Sequence, residues 1–265
     1  MFKTLLKVFF SLLILISCSN NSVNKLSMSD FGKAPNGEVV KKFKLTNSNG
    51  LSMEVINYGA IITNLNVPDS SGSLKDVVLG FNDFNNYYEN NPYFGAIIGR
   101  YGNRISNGTF LLDGVRYELE QNNGTNSLHG GLVGFDKVFW KFIEEKSSNQ
   151  SLYFEYYSKD MEEGFPGNLV VGVEYILNDS NELKIKYTAS TDKKTIINLT
   201  QHSYFNLSGE SSGDILDHIL NIDAEYYLPV NENMIPYGPY EKVESTPFDF
   251  NLSLIHISEP TRLRR

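Results

Sequence analysis

The sequence predicts an all-β sandwich, and three observations predict it. Short runs rich in β-branched and aromatic residues recur between residues 39 and 199, several of them alternating apolar with polar. Turn chemistry separates them, at residues 69–72 (Asp-Ser-Ser-Gly), 113–114 (Asp-Gly), 122–124 (Asn-Asn-Gly) and 178–181 (Asn-Asp-Ser-Asn). No long apolar stripe at helical spacing interrupts the pattern, so facing sheets are the arrangement that buries the apolar sides.

In chain order, strands are expected over residues 39–45, 52–56 and 61–67. Residues 109–112 and 115–119 flank Asp113-Gly114, a two-residue loop whose residue types accept the left-handed backbone of a tight hairpin. Further strands are expected over residues 152–157, 170–177, 182–190 and 195–199. Nothing within residues 31–252 marks an internal repeat or a linker, which makes this stretch one domain. The 16 tyrosines and 17 phenylalanines suit a sandwich core, and most are assigned there.

The two ends read differently. Residues 1–17 place Lys3 and Lys7 ahead of an apolar core at residues 8–16, too short to span a bilayer, as in a secretory signal peptide. Leu15-Ile16-Ser17-Cys18 resembles the lipobox of bacterial lipoproteins, in which the cysteine is diacylated and becomes the mature N-terminus. Cys18 is the only cysteine and can form no intrachain disulfide, which fits an anchor point. Residues 18–30 then read as a polar tether. Position 19 is Ser and carries no acidic retention signal, so the resemblance implies a bacterial cell-envelope protein at the outer membrane, touching lipid through its anchor alone. Residues 253–265 resemble translated sequencing-adapter sequence, so His256 and the terminal arginines are given no function.

The chain carries 23 basic and 31 acidic residues, a net charge of −8. Setting aside Lys3, Lys7, Glu259, Arg262, Arg264 and Arg265 leaves 18 basic and 30 acidic residues over 18–252, or −12. Phosphate backbones need a basic stripe, so nucleic acid is excluded as a partner and a small neutral molecule is favoured.

Residues 198–209, Asn-Leu-Thr-Gln-His-Ser-Tyr-Phe-Asn-Leu-Ser-Gly, centre on His202. An imidazole beside a β-favouring run is either half-buried and satisfied by a backbone carbonyl or a proton-transfer group. Two more segments favour the second reading: residues 99–105 (Gly-Arg-Tyr-Gly-Asn-Arg-Ile) and 126–131 (Asn-Ser-Leu-His-Gly-Gly) both offer polar groups suited to sugar hydroxyls. With residues 57–60 (Asn-Tyr-Gly-Ala), 76–80 (Asp-Val-Val-Leu-Gly), 134–137 (Gly-Phe-Asp-Lys), 163–167 (Glu-Gly-Phe-Pro-Gly), 201–207 and 223–229, they follow one another in the order found in aldose 1-epimerases, the galactose mutarotases. The chain resembles that family from about residue 45 to about residue 250.

The resemblance implies the large antiparallel two-sheet supersandwich of galactose mutarotases, incomplete here at its C-terminal side. It implies interconversion of the α and β anomers of aldohexoses such as galactose and glucose, by acid–base opening and closure of the ring. No hydride, electron or phosphoryl group moves, so no cofactor and no metal are implied. His202 is implied as the proton donor to the ring oxygen, with Asn103, Arg104, His129 and Tyr204 as sugar-binding neighbours. Arg100 is read as a structural ion-pair partner and His218 as structural. The family's base, a glutamate, and an aspartate that grips sugar hydroxyls have no counterpart in the segments matched. The chain as given is therefore expected to be inactive, and the full-length gene product active. Two other readings stay open: a non-catalytic carbohydrate-binding sandwich, and a sandwich domain of a polysaccharide-degrading enzyme.

Overall fold

The computed structural model describes residues 25–250. The leader read over residues 1–17, Cys18 and the tail at residues 253–265 lie outside the described residues.

The chain opens with an antiparallel meander of β1 (Lys25–Lys33), β2 (Val39–Thr46), β3 (Ser52–Ile56), β4 (Ile62–Pro68) and β5 (Leu74–Asp76), paired in sequence order. Residues 25–30, read above as the end of a tether, are therefore strand: Lys25 to Asp30 pair with Thr46 to Lys41. They alternate too weakly in hydrophobicity to announce themselves, and β2 supplies the partner that orders them. The register slips between Asp30 and Gly32. A Cβ on Gly32 would lie 2.5 Å from Phe84 Cβ, so this glycine admits the only α-helix among the described residues, α1 (Phe84–Asn90). Asp83 caps that helix by accepting the Asn86 N–H at 3.1 Å.

Short strands follow: β6 (Ile97–Ile98), β7 (Arg104–Ile105), β8 (Thr109–Leu112), β9 (Val115–Glu118) and β10 (Ser127–Leu128). The Asp113-Gly114 hairpin forms as its residue types require, with φ of 50° and 80° at the two loop positions. A second antiparallel sheet comprises β11 (Lys141–Phe142), β12 (Ser151–Ser158), β13 (Leu169–Leu177) and β14 (Leu183–Thr191), again in sequence order. The chain continues through β15 (Thr200–Gln201), β16 (Tyr226–Tyr227) and β17 (Glu241–Lys242). The strand expected over residues 195–199 does not form: Asn198 makes one isolated bridge to Tyr101, and regular pairing starts only at Thr200.

The two main sheets face each other. Leu169, Val171, Val173, Tyr175 and Leu177 are all at most 1% exposed, the period-two face of one strand, and pack with Phe43, Leu45, Met53, Val55 and Ile62 of the first sheet. Phe43 meets Phe154 edge-on at 5.2 Å, and the Tyr175 hydroxyl donates to the Ala60 carbonyl across the layers at 2.6 Å. On its reverse side the first sheet has two zones. Lys42 and Lys44 grip Glu54 at 2.8 and 3.1 Å, while Val40 and Ile56 are covered by Phe84 and Tyr87 of α1 with Ala96 and Ile98. The segment running from α1 to β6 is thereby fixed against the sandwich, and it carries one wall of the candidate site.

Candidate active site

Two short ladders bring the predicted residues together. Thr200 and Gln201 pair with Ile98 and Ile97, two fully buried isoleucines that anchor β6 in the apolar interior. The next residue, His202, continues that pairing through its backbone: its N–H donates to the Ala96 carbonyl at 2.9 Å and its carbonyl accepts from Gly95 at 3.1 Å. In the second ladder Leu128 pairs with Arg104, which delivers His129 beside Asn103. His129 and Asn103 clasp each other. The His129 N–H donates to the Asn103 carbonyl at 2.9 Å, and the Asn103 N–H donates to His129 Nδ1 at 3.0 Å.

The two imidazoles stand perpendicular with ring centres 5.1 Å apart. Tyr93 packs against both, at 4.7 Å from His129 and 5.6 Å from His202, and Tyr204 lies 5.1 Å from His202 with 42% of its surface exposed. Phe94 supports Tyr204 edge-on at 5.2 Å. Arg104 donates through Nε to Asn123 Oδ1 at 2.9 Å and through Nη1 to Asn103 Oδ1 at 3.3 Å. Tyr93, Asn103 and His129 all have left-handed backbones, with φ of 69°, 64° and 54°. Such conformations cost side chains energy and tend to gather where geometry is held for a purpose.

The electrostatics separate the two histidines. Burial pushes His129 down to about 4, with His202 and the Arg104 charge pushing the same way. It is therefore neutral at neutral pH. Its Nδ1 accepts from Asn103, which puts the remaining proton on Nε2 as a donor. Behind the loop, burial raises the Asp136 carboxyl to about 6, against the opposing pull of Lys137. Burial, then Asp136, also raises the Tyr93 phenol.

Arg100 is a structural residue, though not the ion-pair partner expected from sequence. At 2% exposure it donates to the carbonyls of Pro166, Gly167 and Lys159 at 2.9, 3.0 and 3.1 Å and to Ser158 Oγ at 2.6 Å, so backbone oxygens satisfy most of its fork. His218 is structural as expected, its Nε2 accepting the Leu207 N–H at 2.8 Å.

The family model for aldose 1-epimerases matches residues 41–262. The chain belongs to the aldose 1-epimerase family. It is 47% identical over 225 residues to the galactose mutarotase of Sus scrofa, covering 84% of this chain and 64% of that protein. The aldose 1-epimerase of Escherichia coli (strain K12) is 39% identical over 226 residues, covering 85% and 64%. The chain thus spans just under two thirds of the length of these curated relatives. Among solved structures, an aldose epimerase homologue from C. elegans superposes with a TM-score of 0.74 at 32% identity, over 78% of this chain and 63% of that one. Galactose 1-epimerase from Lactobacillus acidophilus NCFM gives 0.74 at 28% identity, over 86% and 65%.

In this aldose 1-epimerase family member, the structure brings Asn103, Arg104, His129, His202 and Tyr204 to one mouth. Sequence reasoning missed Tyr93, which lies in a Pro-Tyr-Phe-Gly run with no periodic signal, and took Asn122-Asn123 for turn chemistry alone. It also overlooked Glu163, whose carboxylate accepts the N–H groups of Leu132 and Val133 at 2.8 and 3.1 Å behind the His129 loop. The acidic residue in Glu-Gly-Phe-Pro-Gly was the available signal.

Proposed function

We propose that the protein is an aldose 1-epimerase that interconverts the α and β anomers of aldohexoses, galactose and glucose being the expected class. The observation that carries this reading is the perpendicular imidazole pair at 5.1 Å, with one member held neutral. Opening the ring removes the proton from the C1 hydroxyl, forms the C1 carbonyl, breaks the bond from C1 to the ring oxygen and delivers a proton to that oxygen. Rotation about the C1–C2 bond and the reverse transfers give the other anomer. His202 is assigned the proton delivered to the ring oxygen. His129, neutral and donating through Nε2, is assigned a hydrogen bond to a sugar oxygen. Arg104 and Asn103 offer further donors to the hydroxyls, and Tyr204 borders the ring at the exposed side. The abstracting base is assigned by resemblance to a glutamate; among the described residues no carboxylate hydrogen-bonds either imidazole.

Polarimetry on freshly dissolved α-anomeric galactose and glucose tests this with the full-length gene product. Rotation is expected to equilibrate faster than in buffer, and His202→Ala to lose roughly 10²–10⁴ of the acceleration, the usual share of a positioned acid. Equilibration no faster than in buffer overturns the catalytic reading and leaves sugar binding in its place.

We also propose that Cys18 is diacylated and holds the protein to the bacterial cell envelope, at the outer membrane. The apolar run at residues 8–16 followed by Leu-Ile-Ser-Cys supports this. Among the described residues no helix is long and apolar enough to cross a membrane. Labelling with a palmitate analogue is expected to mark the wild type and to miss Cys18→Ala, which should leave the membrane fraction; equal labelling of both proteins would refute the anchor.

A further inference from the structure

Behind His129 and Arg104, the two groups assigned above to sugar oxygens, lies a pair of adjacent asparagines, one for each group. Asn122 Nδ2 donates to the carbonyls of Leu128 and Gly131 at 2.9 and 2.7 Å, and its Oδ1 accepts the Leu128 N–H at 2.7 Å. These three bonds bracket His129 on both sides in sequence. Asn123 Oδ1 accepts from Arg104 Nε at 2.9 Å. The turn bearing both is closed on itself, since Asn123 and Asn126 exchange backbone hydrogen bonds at 3.1 and 3.0 Å. It is pinned below by buried Asn126, whose Oδ1 accepts the Asn107 N–H at 3.1 Å.

We propose that Asn122 and Asn123 are the positioning residues of the site, Asn122 setting the His129 imidazole through its loop and Asn123 setting the Arg104 guanidinium directly. The assignment rests on the epimerase reading for its purpose, though its geometry is independent of turnover. An asparagine is required at 122 because two carbonyls must be given hydrogen bonds while one N–H is accepted, which neither Asp nor Leu can do. At 123 only an acceptor is needed, so Asp can replace Asn. With Nε engaged on Asn123 and Nη1 on Asn103, Arg104 has fewer rotational choices. With its loop held at Leu128 and Gly131, His129 keeps Nδ1 on the Asn103 N–H and Nε2 pointing away from it. One rigid turn therefore sets the spacing between the two sugar-facing groups.

The test is nuclear magnetic resonance on this chain with labelled histidine and arginine. In the wild type, His129 is expected to titrate near 4, as burial requires, and the Arg104 Nε–H to exchange slowly. Asn122→Ser is expected to raise the His129 titration by about one pH unit or more. Asn123→Ala is expected to speed exchange at Arg104 Nε by roughly tenfold while moving the His129 titration less than Asn122→Ser does, since burial outweighs the Arg104 charge there, and Asn123→Asp to restore slow exchange. A merely structural role would not split the two readouts between neighbouring positions in this way. Unchanged His129 titration in Asn122→Ser together with unchanged Arg104 exchange in Asn123→Ala overturns the proposal. If Asn122→Ser does not fold, exchange of the Leu128 amide in the unaltered chain decides: protection supports the clamp, and exchange as fast as an open loop refutes it. Positioning in this chain together with no acceleration by the full-length gene product would sink the epimerase reading alone.

Discussion

At His129 and Asp136, burial acts on opposite charges, and the two should leave opposite marks on stability. His129 has its pKa lowered from 6.5 to about 4, so between those values the unfolded chain binds more protons and stability rises with pH. Asp136 is raised from 3.8 to about 6, so over nearly the same interval the folded chain holds more protons and stability falls with pH. Each is worth up to about 3 kcal/mol at the 1.36 kcal/mol of one pKa unit, less what solvent at the half-buried His129 takes away. The wild type should therefore show little net slope from these groups between pH 4 and 6. Denaturant midpoints measured across that window should rise with pH in Asp136→Asn and fall with pH in His129→Asn; parallel curves in all three proteins would contradict the assignment. Sequence exposed His129 because a histidine in a Gly-rich turn is conspicuous. Asp136 gave no such sign, because burial of a carboxyl depends on what the rest of the chain folds over it.

Elements with their own periodicity were legible and those that borrow order from a partner were not. β12, β13 and β14 emerged within a residue or two of their expected bounds because alternate side chains must enter the core. β1 depends on β2 for its pairing, and the apolar run at 195–199 failed as a strand because its neighbour β6 offers two residues of ladder beginning opposite Thr200. The site was legible only in part for the same reason: His202 and Arg104 stand out by type, while the asparagines behind them act through loop geometry. The sandwich itself is closed by contacts such as the Tyr175 hydroxyl on the Ala60 carbonyl. Tyr175→Phe removes that donor and leaves a buried acceptor without it, at a cost of about 1–3 kcal/mol. Thermal and denaturant unfolding would register the loss, and equal midpoints in Tyr175→Phe and the wild type would contradict it.

Over the whole molecule, apolar surface is distributed unevenly. The two main sheets bury their inner faces, whereas residues 204–248 leave large side chains in solvent, among them Leu207 at 69%, Ile219 at 65% and Tyr240 at 71% exposure. β14 is also an edge strand of its sheet among the described residues. Surface of this kind associates unless charge keeps copies apart, and the acidic excess over residues 18–252 supplies that charge. Sedimentation of this chain should accordingly show self-association that strengthens between low and moderate salt; a monomer at every salt concentration would contradict it. The left-handed backbones of Tyr93, Asn103 and His129 carry a different consequence, one for heredity rather than for chemistry. Glycine escapes the cost that left-handed backbone imposes on a side chain, so if the proposed activity ceased to be selected, these three positions are where drift toward glycine would meet the least backbone resistance.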